Sequence, residues 1–334
     1  MQAKLLQRNS LVSLLDALIR DYEVIAPKDK LSYGKIQSAS ELYLSSEHPV
    51  RSLKEFFFPA REVLFDFKSG ACQVDLAVPA PQFETTRIIF GAHPCDAAAL
   101  PILDKLFAWD SLDAAYVQRR RQTTIVTIAC DEPAKTCFCE GVGLSPADIE
   151  GSDMLLTPLN DVYHVEVVTE RGKALVERYG QFFADSDPQH DQARARFVDE
   201  LRGRISKRVN VEELRKGLKF DSPVWEKLTQ QCVDCGVCTF VCPTCHCFDI
   251  QDEGNHSGGS RVRLWDSCAR QDFTEMAAHQ PRPVHYQRYR QRLMHKFQYY
   301  PQNFGRVLCV GCGRCIQHCP VGIDITQALE MAVK

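Results

Sequence analysis

What the chain lacks narrows the field first. No run of roughly 18 apolar residues occurs in its 334 positions, so no membrane-spanning helix is expected. No GxGxxG follows a strand-like run, and no GxxxxGK followed by Ser or Thr occurs. Neither a dinucleotide fold nor a phosphate loop is signalled, so no nicotinamide or flavin is expected on this chain. Charge of one sign is lacking too: 40 Lys and Arg against 43 Asp and Glu leave a formal net charge of -3, which gives no electrostatic reason to expect nucleic acid. A secretory leader is also missing from the first residues. Leu11, Leu14, Leu15 and Leu18 instead fall at helical spacing among charges, the pattern of an amphipathic core helix. Exclusion points to the cytoplasm, where the 16 cysteines imply metal rather than disulfides.

Those cysteines are present in an informative order. Cys232-x2-Cys235-x2-Cys238-x3-Cys242-Pro243 and Cys309-x2-Cys312-x2-Cys315-x3-Cys319-Pro320 both have the bacterial ferredoxin spacing, in which three thiols serve one cubane and the fourth crosses to the other. Crossed ligation assigns Cys232, Cys235, Cys238 and Cys319 to one 4Fe-4S cluster, and Cys242, Cys309, Cys312 and Cys315 to a second. Zinc fits poorly, since each run offers three close thiols and a remote Cys-Pro. Gly236, Gly311 and Gly313 suit a backbone that must turn tightly and aim N–H groups at sulfur. Electron transfer is the chemistry implied.

A second set lies further forward. Arg87 to Phe90 and Thr123 to Ala129 read as strands flanking a helix-like stretch from Ala97 to Trp109, a crossover that makes the strands a parallel pair. Cys95 and Cys130 then emerge at the carboxyl edge of a sheet, the usual place for a site. Cys137 and Cys139 follow in a loop, and the four thiols could converge on a third 4Fe-4S cluster or be buried structural cysteines. Asp96 and Asp131, beside two of them, could substitute for a thiolate. Cys245, Cys247 and Cys268 are read as cysteines packed beside the clusters, with a further metal site that could include His246, or a reactive thiol pair, as the alternative. Cys72 is read as core. Arg288, Arg292 and Lys296 form a basic ladder on a helix whose other stripe is Tyr289, Leu293 and Phe297. The ladder is either a solvated face or a source of cations for the clusters.

The organisation expected is α+β. A mixed α/β domain covers residues 1–184, with Val63 to Phe67 and Gln73 to Val78 as a hairpin and two more strands at Met154 to Thr157 and Tyr163 to Val168. A helical linker covers 185–220, and an all-helical two-cluster ferredoxin domain covers 221–334, because the spacer between the motifs is too long for the compact ferredoxin. No internal repeat beyond the motifs and no low-complexity tract occurs.

IIFGAHPCDAAAL, IACDEPAKTCFCEG, CVDCGVCTFVCPTCHCFD, WDSC and CVGCGRC together resemble the iron-sulfur beta subunit of cytosolic nickel-iron hydrogenases of the sulfhydrogenase type, and its relative, the corresponding iron-sulfur subunit of anaerobic sulfite reductase. The resemblance runs from FFFPAREVLFDF at residue 56 to the last Cys-Pro. It implies a third cluster at Cys95, Cys130, Cys137 and Cys139, and a CxC at Cys245 and Cys247 as a family feature. It also implies a flavin-containing NAD(P)H-oxidising partner at one end and a catalytic metalloenzyme partner, holding nickel-iron or siroheme, at the other. AAHQPR at residues 277–282 departs from the glycines found before the His in relatives. A self-contained reductase of a sulfur substrate is the alternative reading.

Overall fold

The computed structural model describes residues 3–70, 73–77 and 86–333. Cys72 lies outside the described residues, as does Val78. In chain order the strands are β1 (Lys4–Gln7), β2 (Glu23–Pro27), β3 (Tyr33–Lys35), β4 (Arg61–Gly70), β5 (Gln73–Ala77), β6 (Arg87–Ala92), β7 (Thr123–Ile128), β8 (Met154–Pro158), β9 (Val162–Val167), β10 (Phe183–Asp185), β11 (Phe248–Asn255) and β12 (Gly258–Trp265).

Eight strands form one sheet in the order β10-β1-β9-β8-β7-β6-β2-β3. Its centre is parallel, β2 to β6, β6 to β7 and β7 to β8, and its flanks are antiparallel. The parallel strands are buried along most of their length, β6 at every position, as in strands covered on both faces. One face is covered by the helix Leu11–Asp21, whose Leu11, Leu14, Leu15 and Leu18 enter the core with Val24, Phe90, Val126 and Leu175. The other face is covered by the helix Pro94–Phe107 and the helix Ala114–Arg121, through Leu100, Leu103, Phe107 and Tyr116. Helix, sheet and helix thus make three layers, and the crossover between β6 and β7 is the one the sequence predicts.

A second sheet runs β11-β12-β4-β5. This corrects one expectation: residues 221–334 are not all helical. The spacer between the two cysteine motifs leaves on an antiparallel hairpin, β11 with β12, and β12 pairs with β4 from the front of the chain. Docking is secured at the hairpin base. Trp265 donates its indole N–H to Phe58 O at 3.0 Å, and the buried Arg263 pairs with Glu62 and with Asp113. Only the second half of the spacer is helical, as His285–Met294 followed by a π turn, His295–Tyr299. The remaining core of this region gathers Trp225, Leu293, Phe297, Val307, Ile325 and Leu329. Among the described residues no helix is long and apolar enough to cross a membrane.

Candidate iron-sulfur centres

The first motif wraps a cavity lined by Cys232, Cys235, Cys238, Cys315 and Cys319, with Tyr289, Arg292 and Ile325 behind them. Four of these five thiols are the set that crossed ligation groups together, and Cys315 comes from the second set. Cys319 Sγ accepts the N–H of Ile323 at 3.2 Å, the kind of N–H···S contact that supports a liganding thiolate. Burial pushes the Cys238 thiol up to about 11. A thiol so placed ionises readily only when a metal cation replaces its proton, so the donor chemistry suits a metal centre.

Cys242, Cys309, Cys312 and Cys315 form the next group. Burial, and after it the neighbouring Cys242 and Cys315, raise the pKa of Cys309 and of Cys312, so the four thiols are electrostatic neighbours. Gly311 N–H points at Cys309 Sγ at 3.4 Å. The basic ladder runs from the first motif to this group, and it is no solvated face: Arg288, Arg292 and Lys296 are 4%, 2% and 2% exposed. Arg292 donates to Cys238 O at 3.1 Å. Lys296 donates to Cys242 Sγ at 3.2 Å and to Leu308 O at 2.9 Å. Burial works against the charge on Lys296, yet Cys242 and Cys245 override it and hold its pKa above the ordinary value. Its place in the π turn is in keeping with the frequent use of such turns at functional positions.

The forward set converges as well. Cys95 lies in the first turn of the helix Pro94–Phe107, where N–H groups and the helix dipole favour an anion. Cys130 follows β7, and Cys139 opens a 3-10 turn, Cys139–Val142. Cys137 and Cys139 raise the pKa of Cys130, and Cys130 that of Cys95, beyond what burial alone does. Of the two neighbouring carboxylates, Asp96 is committed elsewhere. Asp96 is fully buried and held bidentately by Arg314, at 2.8 Å twice, with Tyr33 donating at 2.9 Å, while Asp131 is exposed.

The forward set touches the second group directly. Cys137 Sγ lies 3.6 Å from Cys312 O, and Phe138 N–H donates to Gly311 O at 2.8 Å. His48 Nε2 lies 2.8 Å from the same Cys312 carbonyl. The forward set therefore adjoins the second group, one member of which, Cys242, closes the first motif. Sequence reasoning missed His48, His93, Lys54 and Arg314. His93, 3.8 Å from Cys130 Sγ, sits in the GAHPCD segment and could have been singled out. Arg314 lies inside the second motif, where the first has Val237. Nothing in the local pattern signals its distant partner Asp96.

Cysteine spacing, glycine turns and buried cations together define an iron-sulfur protein, and a family model described as a 4Fe-4S dicluster domain matches residues 231–323. The chain is 30% identical over 316 residues to sulfhydrogenase 2 subunit beta of Pyrococcus furiosus, covering 93% of this chain and 91% of that protein. It belongs to the iron-sulfur hydrogenase beta-subunit family, a family of electron-transfer oxidoreductase subunits.

Proposed function

We propose that this chain is the wiring subunit of a larger cytoplasmic complex, carrying single electrons between a flavin partner that oxidises NAD(P)H and a partner with a catalytic metal centre. Cys232, Cys235, Cys238 and Cys319 would hold one 4Fe-4S cluster, Cys242, Cys309, Cys312 and Cys315 a second, and Cys95, Cys130, Cys137 and Cys139 a third. A 4Fe-4S centre gains and loses one electron at a time at a potential set by hydrogen bonds, charge and burial. The chain supplies those settings. Arg292 and Lys296 place buried cations against the first and second groups respectively, and the N–H groups of Gly311 and Ile323 aim at sulfur. The contact of Cys137 with the Cys312 carbonyl carries the reading, because it puts the forward set within hopping range of the second group. Three bodies are proposed: 1–184 with the forward set, the connecting segment 185–220, and 221–334 with the two ferredoxin-type sets.

Counting iron and labile sulfide on anaerobically reconstituted protein tests the reading. About twelve iron atoms per chain are expected if three cubanes form. About eight would remove the forward site. NADH or NADPH should leave the isolated chain oxidised and should reduce it once the flavin partner is added. Turnover of sulfite, polysulfide or a disulfide by the isolated chain with an artificial donor would overturn the relay.

A further inference from the structure

Three cysteines of the C-terminal region belong to none of these groups. Cys245 and Cys247 follow the first Cys-Pro, and Cys268 follows β12. The hairpin explains their meeting. Its register pairs Phe248 with Trp265 and continues one step further, where Asp266 N–H donates to Cys247 O at 3.0 Å. Cys268 thus returns to the strand end from which Cys247 departs, two residues past the Asp266 that pairs with it. Their settings differ: Cys268 is buried, at 8% exposure, while Cys247 is only half-buried. Cys245, also buried, links this pair along the chain to the buried Cys242 of the second group.

Two ammonium groups face this pair. Lys54, 3% exposed, comes from the N-terminal region, donates to Cys245 O at 2.9 Å and stands 3.9 Å from the Trp265 ring centroid. Lys296 is the other. The hydrogen bond from Cys268, and after it the charges of Lys54 and Lys296, bring Cys247 below the ordinary thiol value against the opposing effect of burial. A thiolate beside a thiol, near fixed cations and partly accessible, is the arrangement of reactive rather than structural cysteines.

We propose that Cys247 and Cys268 form a redox-active dithiol–disulfide pair, a two-electron store wired through Cys245 and Cys242 to the second iron-sulfur group. This rests on the electron-transfer reading above. In oxidation the Cys247 thiolate and the Cys268 thiol join in one S–S bond, the S–H bond of Cys268 breaks, one proton leaves to solvent, and two electrons pass singly to two oxidised cubanes. Reduction reverses each item: two electrons from reduced cubanes and one proton from solvent restore thiolate and thiol. No external oxidant enters. A store of this kind would let a one-electron relay meet two-electron partners.

The test uses the full chain with its iron in place. Protein is poised anaerobically at a series of potentials, quenched in acid, alkylated and digested with trypsin. The peptide Leu264–Arg270, which carries Cys268, should be linked to the peptide carrying Cys247 at high potential and freed with two-electron dependence as the potential falls. Coulometric titration should show wild-type protein taking up two electrons more than either C247S or C268S, with iron content unchanged in both variants. Two variants guard against one that fails to fold. Absence of the linked peptide at every potential that leaves the iron intact overturns the proposal. So does a loss of iron or zinc in the variants, since that would make these thiols metal ligands. Wild-type protein without iron would refute the electron-transfer reading itself, and the iron assay reads that independently of the linked peptide.

Discussion

The two cysteine motifs share a spacing and a backbone but not a setting. Asp234 and Gly311 occupy the same place in each and both take left-handed φ, 57° and 63°. Gly236 and Gly313 match at 73°. Beyond the backbone the likeness stops. The first motif opens outward, with Cys235 exposed and Val233 at 60% exposure. The second is pressed against the forward set, with Cys312 at 8%. Where the first has Val237, the second has Arg314, buried without exposure and locked to Asp96. Local spacing dictates the nest. The residues between the cysteines decide whether it faces a partner or the interior.

Arg314→Met breaks the comparison hardest. It makes the second motif resemble the first at this position and leaves the Asp96 carboxylate buried without its cation. Removing one member of a buried pair costs about 3–5 kcal/mol. The midpoint of urea unfolding should fall accordingly, and iron should be lost from the forward and second groups before the first. The double variant Asp96→Asn with Arg314→Met should recover part of the loss. Val237→Ala, the counterpart in the first motif, should change little.

Lys296→Met probes the electrostatic side. This ammonium stands 3.2 Å from Cys242 Sγ, and a unit charge about 4 Å away is worth roughly 4 kcal/mol at an effective dielectric near 20. That figure is an upper bound on the effect. Loss of the cation disfavours the more negative reduced state, so the potential of the second centre should shift downward in an EPR-monitored titration, with the first moving less. Equal shifts in both would mean that Lys296 does not discriminate between them.

Gly311→Ala comes next in size. A Cβ there would lie 2.5 Å from Phe138 O and 2.6 Å from Cys139 Cα, and left-handed φ adds its own penalty, together roughly 1–3 kcal/mol. Asp234 shows that the same backbone accepts a side chain when nothing crowds it: Arg288 and His285 hold its carboxylate at 2.5 and 2.9 Å. Thermal unfolding of Gly311→Ala checks this, and a loss no larger than the roughly 1–2 kcal/mol of a left-handed residue would locate the cost in φ rather than in the neighbouring loop.

These contrasts also mark what the sequence discloses. The eight C-terminal thiols are legible because a cubane nest is built from residues three or four apart. The forward set is legible one step less directly, through a crossover that sends β6 and β7 the same way and brings Cys95 and Cys130 to one edge. The hairpin β11–β12 is not legible. β11 is exposed at every position, so no buried alternation marks it, and its sheet is completed by β4, far away in the chain. The helical stripe of Tyr289, Leu293 and Phe297 is real, but it speaks only for the second half of the spacer. The Asp96–Arg314 pair escapes for the same reason as the hairpin, since a contact between distant residues leaves no period.

The segments after the two Cys-Pro pairs supply the smallest contrast. After Cys319-Pro320 the chain turns at Gly322 into the helix Ile325–Ala332. After Cys242-Pro243 it stays inside, through Thr244 at no exposure and Cys245 at 7%, to His246, whose ring meets His295 edge-on at 5.3 Å. Burial drives His246 down to about 3 and His295 down to about 4 from an ordinary 6.5. Both are neutral in the folded chain where the unfolded chain takes up protons. Their contribution is therefore fully present above about pH 6.5 and is lost as pH falls towards 4 and then 3, at no more than about 1.4 kcal/mol per pH unit for each group. The melting temperature of wild-type protein should decline over that window more steeply than that of His295→Gln, the two curves running parallel above pH 7. Parallel decline below pH 6 would show that His295 carries no proton difference between folded and unfolded chain.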